Sequence, residues 1–115
     1  MTVYISQGNY SRDAIVGMIE RPEDRAKAVA ALAEAVGGKL LDYYVTFGDS
    51  DFMVIIEGGE DRDESDTMAA LMVAAATGGV ANLRTTVAVR SDVAKEAMQK
   101  AQNVMAGFRA AGQQG

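Results

Sequence analysis

Five polar residues, well separated along the chain, have side chains that could orient or polarise a small molecule. They are two tyrosines, an aspartate, an asparagine and an arginine: Tyr4, Tyr44, Asp51, Asn82 and Arg84. Phenols and amides donate and accept hydrogen bonds, a carboxylate accepts them and a guanidinium donates them. The sequence has no cysteine, histidine or tryptophan. A general acid or base acting near neutral pH would therefore be a carboxyl or phenol with a strongly shifted pKa.

The acidic segment "EDRDESD" at residues 60–66 is the one stretch that suggests a cation. It lacks the glycine and the distal glutamate that an EF-hand calcium loop requires, and acids are favoured at a helix N-terminus without any metal. The absent cysteine and histidine also remove sulfur- or nitrogen-ligated zinc and histidine-ligated haem. We expect neither a metal nor a cofactor.

Composition limits the partners. The chain has 115 residues, which suits one domain, and carries 16 acids against 11 bases for a net charge of -5. Nucleic acids and anionic membranes are therefore not expected partners. No apolar run approaches the roughly 20 residues of a membrane span, and the sequence begins directly with strand-like residues, so the expected location is cytoplasmic.

Four segments have the alternation and the β-branched or aromatic content of strands: residues 2–8, 39–47, 51–58 and 80–90. The second and third are joined by "GDSD", a short polar turn that predicts a hairpin.

Helical spacing of apolar residues fills the intervals between the strands. Ser11 is predicted to cap a short helix, Pro22 to begin a second helix and Gly37 to end it, whereas a third helix follows the acidic segment and ends at Gly78–Gly79. A fourth helix is predicted from an N-cap at Ser91 to about residue 112.

The order βαββαβα predicts an α+β, ferredoxin-like βαββαβ fold with a four-stranded antiparallel sheet, two crossover helices on one face and a C-terminal helix. Residues 1–90 would form the ferredoxin-like domain, and residues 91–115 a helical extension of it.

Alternation also predicts which side chains share a face of the sheet. The residues assigned to the helix-covered face are Val3, Ile5, Leu41, Tyr43, Val45, Phe47, Phe52, Val54, Ile56, Leu83, Val87 and Val89. Those assigned to the opposite, open face are Tyr4, Ser6, Asp42, Tyr44, Thr46, Asp51, Met53, Ile55, Glu57, Asn82, Arg84 and Thr86. The open face is apolar enough to need cover, which favours a homodimer with facing sheets and a small-molecule cavity between sheet and partner.

Two interpretations of the polar residues stay open. Tyr4, Tyr44 and Arg84 could satisfy one another inside a dimer interface without any ligand. Asp51 and Arg84 could orient a polar ligand, or they could form an ion pair or cap the turn.

Several stretches, in order along residues 1–88, resemble the GYD domain family of uncharacterised bacterial proteins related to the dimeric α+β barrels. They are "VYI", "GNYS", "RPEDR", "GGKL", "YVTFGDSDFMVIIE" and "GGVANLRTT". The resemblance implies the ferredoxin-like fold and a barrel-type dimer, and it brings no established activity. In the family's Gly-x-Tyr-Asp pattern this chain has Ser50 in place of the tyrosine.

Three functions follow as hypotheses. The first is a homo-oligomeric module that binds a small, partly apolar molecule between the sheet and its partner subunit. The second is a cofactor-free, monooxygenase-like enzyme of the barrel type, and the third is a purely structural oligomerisation module. The fold class does not choose among them.

Overall fold

A computed structural model describes residues 2–61, 63–77 and 79–113. Its elements, in chain order, are β1 (Val3–Tyr10), α1 (Arg12–Glu20), α2 (Arg25–Ala35), β2 (Lys39–Val45), β3 (Phe52–Glu57), α3 (Glu64–Ala76), β4 (Val80–Ala88) and α4 (Ser91–Val104), followed by a 3₁₀ turn at Met105–Gly107. The predicted order of strands and helices is confirmed.

The four strands form one sheet in the order β2-β3-β1-β4, and each neighbouring pair is antiparallel. The first and third strands are central, whereas the second and fourth are edges. This is the ferredoxin-like arrangement, in which each helical crossover joins two strands that are consecutive in the chain but not adjacent in the sheet.

Both edge strands contain a bulge, where the register changes by one residue. In β4 the register changes opposite Gly8, and Asn82 there has a φ of 54°. Asparagine tolerates this left-handed conformation better than most residues do. In β2 the change falls between Leu40 and Asp42. The bulges shift which residues of an edge strand face the helices, so simple alternation cannot be carried through them.

Helix termini show which local predictions hold. Ser11 caps α1 by accepting a hydrogen bond from the Ala14 backbone N–H at 3.1 Å, as predicted. The second helix begins at Arg25 and not at Pro22, because the Asp24 side chain accepts from the Ala26 N–H at 3.0 Å and is the N-cap.

The C-terminal end of α2 is closed as its glycines predict. Gly37 has a φ of 83°, and the Gly38 N–H donates to the Ala33 carbonyl at 2.8 Å. This left-handed closure satisfies carbonyl groups that the helix itself leaves unpaired.

The third and fourth helices differ more from expectation. Asp63 caps α3 in a capping box with Asp66, and α3 ends at Ala76; the predicted stop at Gly78 lies outside the described residues. Ser91 is the first residue of α4 and not its cap, since the N-cap is Arg90, whose side chain forms no capping hydrogen bond. The helix ends at Val104, earlier than the predicted residue 112.

The face assignment of β1 is wrong and must be reversed. Ser6 pairs with Thr85 and Val54, and Tyr4 pairs with Val87 and Ile56, all on the helix-covered side of the sheet. Val3, Ile5 and Gln7 therefore lie on the open face, beside Met53, Ile55, Glu57, Arg84 and Thr86.

Gly8 explains why the even-numbered residues of β1 face the helices. A Cβ at this residue would lie 2.9 Å from the Ala81 carbonyl oxygen and 3.0 Å from Phe52 Cζ. Only glycine leaves room for the Phe52 ring on the helix side, so the even-numbered residues of β1 must follow Gly8 onto that side.

Candidate functional site

A cavity of about 230 Å³ lies between the sheet and the helices α1, α2 and α3. Its walls are mainly apolar, and the side chains from the sheet and the helices that define them are Met18, Val29, Leu32, Ala33, Phe52, Val54, Ile56, Leu71, Ala74 and Leu83. In the described part of the chain the buried apolar residues are few: Val3, Ala33, Phe52 and Val54. The space that would normally be a packed core is therefore partly empty.

Two tyrosines and a phenylalanine form one end of this cavity. The hydroxyl oxygens of Tyr10 and Tyr43 are 2.5 Å apart, and the ring centroids of Tyr10 and Phe52 are separated by 5.1 Å. The Tyr43 ring lies 6.4 Å from Phe52. Phe52 is 3% exposed, and its ring packs on the helix side of the sheet beside the rings of Tyr10 and Tyr43. The cluster places a pair of hydroxyl groups against an apolar wall.

The environment keeps Tyr10 protonated. Burial raises the pKa of Tyr10 well above its usual value, and the hydrogen bond to the Tyr43 hydroxyl raises it further. The nearby Arg25 guanidinium acts in the opposite direction but does not reverse the shift. At neutral pH the Tyr10 hydroxyl is therefore a hydrogen-bond donor and acceptor, and it is a poor general base.

A second pair of hydroxyl groups lies further along the same face. Ser6 Oγ and Thr85 Oγ1 are 2.9 Å apart, on adjacent strands. Among the described residues, the charged side chains that line the cavity are Arg25 and Glu23, which lie 3.4 Å apart and are both more than a third exposed. These two opposite charges sum to zero.

The five residues predicted as a site do not share one location. Tyr4 lines the helix-side cavity, whereas Tyr44 lies on the open face and is 51% exposed. The two phenols are therefore on opposite sides of the sheet. The prediction that both lie on the open face is wrong for Tyr4, because the even-numbered residues of β1 face the helices.

The other three predicted residues lie around the loop at residues 46–51. Asp51 Oδ2 accepts from the Tyr10 backbone N–H at 3.0 Å, and Arg84 Nη2 donates to Ser50 Oγ at 2.5 Å. Asn82 Nδ2 donates to Asn9 Oδ1 at 3.2 Å. Within the described residues Asp51 and Arg84 form no ion pair with each other, and their bonds instead hold the loop to the central strand and to β4.

Ser50, which replaces the tyrosine of the family pattern, is 6% exposed and is held by the Arg84 hydrogen bond. Its backbone carbonyl also accepts from Thr46 Oγ1 at 2.6 Å. In this chain the position is part of the loop's internal packing.

The prediction of a binding site omitted Tyr10, Tyr43, Ser6 and Thr85. Tyr43 was assigned to the helix side but treated as core, and Ser6 was assigned to the other face. The signal that could have found them is Gly8, because a glycine inside a strand often marks a close approach, and here it identifies the side that must admit the Phe52 ring.

Within the parts of the chain that the structure describes, no group of three or more carboxylates is arranged to hold a metal ion. The acids at the start of α3 are instead engaged in its cap, where Asp63 accepts from the Ser65 N–H and Asp66 accepts from the Asp63 N–H.

The GYD domain model matches residues 4–98, which is most of the chain and includes β2, β3, β4 and all of β1 after its first residue. The chain belongs to the GYD domain family. No curated protein matches the chain.

The solved structures that match this GYD protein share little sequence with it. The hypothetical protein PHS023 from Pyrococcus horikoshii is 13% identical, with a TM-score of 0.48 over 78% of this chain and 92% of that one. The protein TTHA0845 from Thermus thermophilus is 13% identical, with a TM-score of 0.47 over 78% and 95%. FFRP-DM1 is 14% identical, with a TM-score of 0.45 over 77% and 100%.

Proposed function

We propose that this GYD domain is a small-molecule-binding module whose ligand occupies the cavity between the sheet and the helices. The observation that carries the proposal is the cavity itself, about 230 Å³ with mainly apolar walls and a few convergent hydroxyl groups. Binding sites for small molecules are commonly built in this way. An apolar cavity of about 150 Å³ is already large enough for benzene.

The proposal places the ligand on the opposite side of the sheet from the site predicted between sheet and partner. The helix side is favoured because one chain supplies all of its walls. Tyr10, the polar residue most perturbed there, remains protonated, and this favours binding over acid–base chemistry.

Filling the cavity tests the proposal. Ala74 lines the cavity from α3, whereas Ala75 on the same helix is exposed. We expect Ala74→Leu to weaken binding of the hydrocarbon tetralin at least fivefold and to raise the free energy of unfolding by about 1 kcal/mol, because added methyl groups fill empty space. NMR titration and urea denaturation measure the two quantities.

Ala75→Leu is the matched control, since it makes the same change in helix propensity outside the cavity. It should leave tetralin binding within twofold of wild type. No binding of tetralin to the wild-type chain, or equal binding by both variants, would contradict a ligand site in this cavity.

We also propose that the module is a homodimer formed through the open face of the sheet. The centre of that face is apolar, with half-buried Ile5, Met53 and Ile55, and charged residues lie around it: Asp42, Arg84, and Glu57, whose carboxylate lies 3.7 Å from the Arg90 guanidinium of the same chain. A twofold axis can bring Asp42 of one copy near Arg84 of the other, so a second copy complements the face in apolar character and charge.

A further inference from the structure

The two pairs of hydroxyl groups in the cavity contain more donors than they use. Each pair holds two O–H hydrogens, and a single hydrogen bond between the two oxygens uses one of them. Within the described residues, the hydroxyl groups of Tyr10 and Tyr43 form no bond except the one to each other. One phenolic hydrogen of this cavity-lining pair is therefore left without an acceptor among the described residues.

An unmatched donor at this position is unfavourable. Tyr10 is half-buried and its ring lies against Phe52, so the spare hydrogen has an apolar wall on one side. A donor removed from water without a partner loses free energy, whereas an unused oxygen lone pair costs less. The raised pKa of Tyr10 keeps its hydrogen in place across the neutral range.

The charges lining the cavity disfavour an ionised ligand. Within the described residues Arg25 is paired with Glu23, so neither lining charge is left without a partner. A carboxylate or an ammonium group in the cavity would lose its hydration without gaining an unpaired opposite charge. The volume admits roughly ten non-hydrogen atoms, by scaling from the cavity that binds benzene.

From these observations we infer that the ligand is an uncharged molecule with an apolar body of about ten non-hydrogen atoms and a hydrogen-bond acceptor, such as a carbonyl oxygen, directed at the Tyr10–Tyr43 pair. This inference rests on the proposed ligand-binding function and names its chemical class. Tyr10 and Tyr43 are then the residues that determine specificity.

The experiment compares three probes of similar size by NMR titration: the ketone 1-tetralone, the hydrocarbon tetralin and the anion 4-ethylbenzoate. Wild-type protein should bind 1-tetralone about tenfold more tightly than tetralin, as one added hydrogen bond predicts, and 4-ethylbenzoate more weakly than either. Tyr10→Phe or Tyr43→Phe alone leaves one hydroxyl with a free hydrogen, so each should keep most of the preference for the ketone.

The double variant Tyr10→Phe, Tyr43→Phe removes both hydroxyls and should bind 1-tetralone and tetralin equally. Its binding of tetralin shows that the cavity is still folded. Tyr44→Phe is the matched control, because it removes a phenolic hydroxyl on the open face, outside the cavity, and it should leave the ketone preference within twofold of wild type.

The outcomes separate the two proposals. If wild type binds tetralin but shows no ketone preference, if the preference survives in the double variant, or if Tyr44→Phe abolishes it, the assignment of the acceptor to the Tyr10–Tyr43 pair is overturned and the binding function stands. If neither neutral probe binds, the proposed function is overturned as well.

Discussion

At the scale of single residues, Gly8 determines most about the site. Because its missing side chain leaves room for Phe52, it assigns Tyr4, Ser6 and Tyr10 to the cavity and Val3 and Ile5 to the open face. The same strand thus supplies polar groups to an apolar cavity, whereas its apolar Val3 and Ile5, which are buried and half-buried, lie on the other face of the sheet. That arrangement is the reverse of the usual one, and it is what makes both faces of the sheet candidates for binding.

We expect Gly8→Ala to lower the free energy of unfolding by about 1–3 kcal/mol, because the new methyl group would meet a backbone oxygen that has little room to move. Urea denaturation measures the loss. Gly17→Ala is the control: no atom lies within 4 Å of the added carbon, and alanine favours the helix, so it should stabilise by about 0.5–1 kcal/mol. Equal effects of the two substitutions would show that close approach at Gly8 does not set the face of β1.

At the scale of elements, the helices are held at their ends by side chains more than by deep burial. Ser11, Asp24 and Asp63 each accept a hydrogen bond from the first turn of the helix that follows them. Apart from Ala33, the residues of α1, α2 and α3 are half-buried or exposed, since these helices cover a cavity and not a filled core. The caps therefore fix where these three helices begin and contribute to their stability.

The cap of α3 predicts a pH dependence. The hydrogen bonds from the Ser65 hydroxyl and N–H lower the pKa of Asp63 below its ordinary value of 3.8. A carboxyl with a depressed pKa in the folded state stabilises the fold above its unfolded pKa, and this contribution is lost as the pH falls through the folded pKa. The stabilisation should therefore be complete above about pH 5 and decline below about pH 4.

Asp63→Asn keeps a capping side chain but removes its titration, so the variant should show a smaller loss of thermal stability between about pH 5 and pH 2 than wild type. Thermal melts followed by circular dichroism at a series of pH values measure this difference. Asp61→Asn, an exposed acid outside the cap, is the control and should follow the wild-type curve. A wild-type pH profile in Asp63→Asn would contradict the capping role of the carboxylate.

At the scale of the whole molecule, the chain is extended. Its radius of gyration is 18.3 Å and its longest dimension 64 Å, whereas a compact domain of this length has a radius of about 13 Å. Beyond Ala94 every described residue is exposed, including the apolar Met98, Val104, Met105 and Phe108.

In the parts of the chain that the structure describes, no helix has both the length and the apolar character needed to cross a bilayer.

The proposed homodimer is tested on the open face. Ile55 lies near its centre, opposite Ile5, so a lysine there would have to lose its hydration in the interface. Sedimentation velocity should show wild type as a dimer at micromolar concentration and Ile55→Lys dissociating at least tenfold more readily.

Ile19→Lys is the matched control, because Ile19 is 73% exposed on α1, away from the sheet's open face. It should remain dimeric. A wild-type chain that sediments as a monomer, or an Ile55→Lys variant as dimeric as wild type, would rule out the open face as the dimer interface.

Much of this structure follows from short-range sequence patterns. Strand alternation, helical spacing and residues such as Ser11 and Gly37 act within a few positions, so the element order, the ferredoxin-like topology and several helix ends could be read directly. Sequence patterns misplaced Tyr4 relative to Tyr44, because the two residues belong to strands whose alternations are independent and the faces of β1 are the reverse of those predicted.

Sequence alone determined that β1 has two different faces, and the tertiary structure decided which of them the helices cover. The reason is that alternation has a period of two and does not indicate which of the two faces the helices cover. That is decided by the register, which pairs Gly8 with Phe52. The cavity depends on the same contact and on helices that do not fill the space beneath them. Its volume is a property of packing between distant segments, and no local pattern in the chain encodes it.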